Sequence, residues 1–223
     1  MRYLFEAELE KQGEGYAINV PFNVWEVVRQ REKIQAEIVI ENRIIECELL
    51  PMEKGMYEIY FEAEADMDLK VAVPYEILLH VHGSLVVMNE NSPYSIQNPI
   101  RKIDGINLVL QAGDGLCGQT CIAMLAGVSI EEVVNVMNCR EWQGTMGKLI
   151  SALNYYGIDH SDIIVYSNPG EEVKLPKCCI IIEKLGRFGH YLVQYDGKFY
   201  DPNAGIIEEY DYSKLLGYLE IFV

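Results

Sequence analysis

The chain has 223 residues, half of them hydrophobic and 23% charged, with a formal net charge of −16. Such a chain can bury one larger core or two small ones. Its acidity argues against binding a phosphate backbone, which needs clustered Lys and Arg. The imbalance runs throughout: residues 1–90 hold 8 bases against 18 acids, and residues 91–223 hold 10 against 16. No apolar run is long enough to span a bilayer. The opening MRYLFEAELEKQ carries carboxylates where a secretion signal has its apolar stretch, so a cytoplasmic location is expected. The same field repels anionic lipid and favours cationic peptides.

Residues 1–87 read as mostly β. Residues 3–9 alternate apolar and polar, a turn follows at 12–15, and 16–20 form a second strand. Pro21 stops that strand, and Asn23 is placed to cap a short helix over 24–31. Residues 33–40 and 44–50 make a hairpin around Glu41-Asn42-Arg43. The runs 56–63, 71–74 and 77–81 then complete a small closed or nearly closed sheet. His80 and His82 lie two apart, on one face of its last strand. Residues 88–104 carry two prolines and three asparagines and read as a linker.

Residues 105–223 change character, with helices first and strands after, an α+β pattern. Residues 116–125 have helical spacing. Ser129 and Glu132 make a capping box for a helix to about Met137. Thr145 caps a third helix, which Gly157 ends. Strands are expected at 163–166, 177–183, 191–195 and 198–200, the last two joined at Asp196-Gly197. Two more are expected at 205–210 and 218–223.

The six cysteines, at 47, 117, 121, 139, 178 and 179, show no disulfide-framework spacing and are expected to be reduced. No Cys-x-x-Cys or His-x-x-x-His pair accompanies them, and no metal or organic cofactor is expected. Cys117 differs from the rest because it sits where a loop holding Gly113 and Gly115 meets a helix start, where free amides and the helix dipole favour an anionic sulfur. Gly118 after it leaves room for a substrate carbonyl. Cys121, one turn on, is the rival nucleophile, but its position points it into the core. His190 follows Gly189 at the start of a strand. Asp201, before Pro202, ends the strand paired with it, and Asn203 is the weaker candidate for the same orienting role. Gln111, six residues before Cys117, offers an amide N–H₂ to an oxyanion, beside the Cys117 backbone N–H. Each residue alone reads as ordinary core, loop or turn chemistry. In this order they read as nucleophile, base, orienting acid and oxyanion donor. Trp142 reads as a core or rim aromatic.

Two resemblances follow from these residues. Phe5-x-Ala-x-Leu9, Ile18-Asn-Val-Pro21 and Val71-Ala-Val-Pro74 resemble a family of small β-barrel domains of unknown function, over about the first eighty residues. Gln111, Cys117-Gly118, the Cys121-x-Ala-Met-Leu-x-Gly127 helix, Gly189-His190 and Asp201-Pro202 resemble papain-like cysteine peptidases. The nearest pattern is that of the bacteriocin-processing, double-glycine-leader peptidases. This resemblance implies a papain-like domain over 105–223, with Cys117 as nucleophile, His190 as base, Asp201 as orienting group and Gln111 as oxyanion donor. It implies peptide or isopeptide hydrolysis, with a peptide or protein as partner. Deamidation, acyl transfer, or a catalytically silent peptide-binding cleft are the alternatives. A β domain stands where many relatives carry a membrane transporter, and it is open to contact a partner or a second copy.

Overall fold

Period-two alternation of apolar residues builds the first half of the molecule. The computed structural model describes residues 1–22, 33–53, 56–62, 67, 69–82, 86, 91–168, 170–171, 173–185 and 188–223. The helix expected over 24–31 lies outside them. The chain divides into two units, residues 1–85 with 162–166, and residues 86–161 with 167–223. It is α+β, with an N-terminal sheet domain.

In the first unit the strands are β1 (Arg2–Glu8), β2 (Glu10–Gln12), β3 (Gly15–Asn19), β4 (Ile34–Ile40), β5 (Arg43–Pro51), β6 (Tyr57–Phe61) and β7 (Pro74–Val81). They hydrogen-bond in the order β1-β7-β4-β5-β6-β3-β2, all antiparallel. β1 and β3 touch although four strands separate them in that order. In a flat sheet they would stand roughly 24 Å apart, so the sheet curls round its core. Ile18, Ile38, Leu49, Ile59, Ile77 and Leu79 are fully buried in that core, and along β4, β6 and the inner part of β7 buried residues alternate with less buried ones. Glu41 and Asn42 adopt positive φ (49° and 65°), the twist that a two-residue hairpin loop between β4 and β5 requires.

The run at 71–74 does not form the strand that its alternation suggests. Residues 71–73 turn, with Ala72 at φ 55° and its N–H bonded to the Leu9 carbonyl. Val71 and Val73 remain exposed, so the alternation has no core to face. Pro74 instead begins β7, paired with Glu8 at the sheet's end.

The second unit holds α1 (Cys117–Ala126), α2 (Ile130–Met137) and α3 (Met146–Tyr156). β8 (His160–Tyr166) follows; its residues 163–165 run parallel to residues 2–4 of β1, and 162–166 count with the first unit. Next come β9 (Cys178–Leu185), β10 (Phe188–Tyr195), β11 (Lys198–Asp201), β12 (Gly205–Ile207) and β13 (Leu215–Ile221), antiparallel in the order β12-β11-β10-β9-β13. β12 stops at Ile207, short of the run expected to Tyr210. Ser129 and Thr145 cap α2 and α3 by accepting from the Glu132 and Lys148 N–H groups. Asn138 and Gly157 end them in the left-handed conformation. Asp196 and Gly197, at φ 50° and 79°, turn β10 into β11.

Residues 91–104, read from composition as a linker, are tied to α3. The Ser92 hydroxyl donates to the Tyr155 carbonyl, the Ile100 N–H donates to Tyr156, and the Tyr94 ring meets Tyr155 and Tyr156. Polar composition marks an irregular backbone; it does not decide whether that backbone is docked. Among the described residues no single helix is long and apolar enough to cross a membrane.

Candidate active site

α1 differs from its neighbours at its start. Leu116 occupies the cap position with no side-chain bond, and no acid lies in the first turn, whereas α2 and α3 are capped. The first amides of α1 are therefore left for some other acceptor. Cys117 stands there, half-buried, while Cys121 is fully buried one turn on. α1 packs against β10, and Gly118 makes this close. A Cβ at that position would lie 2.9 Å from Leu149 and 3.3 Å from the Tyr191 ring.

The packing of α1 on β10 puts Cys117 within electrostatic reach of His190, whose ring hydrogen-bonds to Asp201. His190 Nε2 lies 3.0 Å from Asp201 Oδ1, and both residues are buried. An Nε2–H donated to Asp201 leaves Nδ1 for the sulfur. The pairing follows from register. Val193 lies opposite Tyr200, so Asp201 and His190 project from the same face of the β10–β11 hairpin.

Burial of the His190 ring opposes its charge, but the hydrogen bond to Asp201 and then the interaction with Cys117 prevail and push its pKa up to about 10. Burial would raise the Asp201 carboxyl. The bond from His190, with the Asn203 and Ala204 N–H groups at 2.6 and 3.2 Å, holds it below the usual carboxylate range instead. The raised His190 pKa contributes stability that is complete below the unfolded value of about 6.5 and is lost as pH climbs through about 10. Asp201→Asn removes the main opponent of burial. NMR titration of the imidazole is expected to find His190 lower by about one unit or more in the variant; an unchanged pKa would mean that Asp201 does not hold the proton.

Gln111 is joined to the same turn. Its backbone N–H donates to the Pro202 carbonyl at 3.0 Å, its Nε2 donates to Asn203 Oδ1, and its Oε1 accepts from the Leu116 N–H at 3.2 Å. Asn203 therefore does not serve as a second orienting group for His190. Its own N–H is drawn to Asp201, and its side chain holds Gln111. Trp142 is 64% exposed at φ 63°, so it is a rim residue and not part of the core. A Cβ at Gly115 (φ 85°) would lie 2.7 Å from the indole, so the missing side chain lets Trp142 lie over the loop that leads to Cys117.

Sequence reading missed Glu183. It lies directly opposite His190 on β9, is 6% exposed, and sits with His190 and Asp201 such that one polar atom from each lies within 4.8 Å of the others. Burial raises its pKa, against the opposing effects of the Tyr210 hydroxyl and the His190 charge. The signal was an acid inside an otherwise near-continuous apolar strand, on the face it shares with Cys179 and Ile181. The other thiols are poorly suited to attack: burial pushes Cys47 and Cys178 up to about 12, and raises Cys121, Cys139 and Cys179 as well.

Residues 5–77 match a family model described as a domain of unknown function, DUF1905. The match agrees with the N-terminal resemblance and stops before Gln111, Cys117, His190 and Asp201. No curated protein matches the chain.

Proposed function

We propose that residues 105–223 form a papain-like cysteine peptidase domain that hydrolyses peptide or isopeptide bonds. The observation that carries this reading is the buried His190, 3.0 Å from Asp201 and within electrostatic reach of Cys117, at a helix start without a side-chain cap. The Cys117 sulfur adds to the carbonyl carbon. The oxyanion accepts from the Cys117 backbone N–H and from the Gln111 Nε2 hydrogen not given to Asn203. The tetrahedral adduct collapses as His190 passes its proton to the departing amine, leaving a thioester. His190 then takes a proton from water as that water attacks, and the acid leaves with the sulfur restored. Asp201 holds the tautomer and offsets the imidazolium charge throughout.

On this reading the substrate is a peptide or protein segment laid across the Cys117 loop beneath Trp142. The N-terminal sheet, curled as a small barrel, recruits a partner or a second copy. The test is to incubate the protein with a denatured bacterial lysate and to map new peptide N-termini by mass spectrometry, with Cys117→Ala in parallel. A set of termini with shared flanking residues, absent with Cys117→Ala, is expected. Identical termini from both proteins would sink the proposal.

A further inference from the structure

A second group of titratable side chains lies on the outer face of the N-terminal sheet. Glu37 on β4 stands directly opposite His80 on β7, and His82 is two residues further along on the same side. His80 Nδ1 is 3.3 Å from Glu37 Oε2, His82 Nε2 is 3.9 Å from Glu37 Oε1, and the two rings are 4.7 Å apart at an angle of 55°. One ligand atom from each residue lies within 4.8 Å of the other two.

We propose that Glu37, His80 and His82 bind a divalent transition-metal ion of the zinc class, with water completing the coordination. Nitrogen and carboxylate oxygen each sit about 2.0–2.1 Å from zinc, so two such ligands in a tetrahedron are roughly 3.3 Å apart. The observed spacings reach that value by small side-chain rotations, without backbone movement. Two imidazoles select zinc, nickel, copper or cobalt over magnesium and calcium, which take oxygen ligands. The nearest thiol along β5, Cys47, is buried in the core, so it does not compete on this face. The three side chains are 32–44% exposed, so an ion can enter and the ligands have little desolvation to recover. Glu46, opposite Glu37 on β5, adds negative charge beside the ion, while Arg2, opposite His80 on β1, is paired with Asp162. A bare ion pair at such exposure adds little stability. Two imidazoles meeting one carboxylate are more economically explained by a shared cation.

This proposal does not depend on the peptidase reading. Zinc chloride is titrated calorimetrically into tag-free protein carrying Cys117→Ala, which removes the accessible thiol. One equivalent is expected to bind, weakened at least about tenfold by Glu37→Gln or by His80→Ala with His82→Ala, and unchanged by His160→Ala. Imidazole NMR without substitution at the site guards against a folding defect: the His80 and His82 resonances are expected to move together as zinc is added, with His160 still. The proposal is overturned by no saturable binding up to about 1 mM, by binding that survives loss of both histidines, or by shifts confined to other histidines.

Discussion

Cys117→Ala, His190→Ala and the double variant are each expected to lower kcat/KM by about 10⁴-fold or more, and by similar factors. The substrate is the best peptide identified from the lysate termini. A nucleophile and its base act as one unit: once either is gone the thioester cannot form, and removing the other costs little more. On the proposed mechanism, what survives is the binding and oxyanion stabilisation supplied by Gln111 and the uncapped amides of α1. His190→Ala leaves the buried Asp201 without its cation, a loss of about 3–5 kcal/mol when a buried pair is broken, so its melting curve must be recorded as well. Cys117 is half-buried at a helix start, so alanine there costs little packing, and any fall in its melting temperature reports the lost interaction with His190. If Cys117→Ala retains activity within about tenfold of the parent, or if the two single losses multiply in the double variant, the sulfur and the ring do not act together.

Gly157→Ala is expected to destabilise the second unit by about 2–5 kcal/mol. Gly157 ends α3 at φ 66°, where a side chain strains the backbone by about 1–2 kcal/mol. A Cβ there would also lie 2.3 Å from the Ser95 carbonyl oxygen and 2.6 Å from its carbon. These are backbone atoms of the segment docked on α3, and they cannot move aside by a rotamer change, so overpacking adds about 1–3 kcal/mol. Gly197 is the control. It has φ 79° with nothing within 4 Å of its Cβ position, so Gly197→Ala should show the backbone cost alone. Urea unfolding followed by circular dichroism measures both. Equal losses for the two variants would show that the Ser95 contact can yield.

Local rules carried much of the secondary structure. Ser129 and Thr145 accept from the amides three residues on, Gly157 ends its helix, and Asp196-Gly197 turns its hairpin, because each effect acts within a few residues. The same locality misled at 71–74, where alternation without a partner became a turn, and at 91–104, where polar composition concealed docking onto α3. β8 was legible as a strand, but its parallel pairing with β1 was not, since register between strands some 160 residues apart leaves no local trace.

Gln111, Cys117, His190 and Asp201 could be named from residue type, order and neighbouring glycines. Helix starts, strand ends and turns are local events, and these residues mark them. Only the packing of α1 on β10 brought the sulfur to the ring, only the chain's return past β11 put Asn203 on Gln111, and only the β9–β10 register set Glu183 opposite His190. Only the pairing of β4 with β7 set Glu37 against His80 and His82. Residue chemistry is written along the chain, but distance between remote residues comes from register and burial, which the whole core decides.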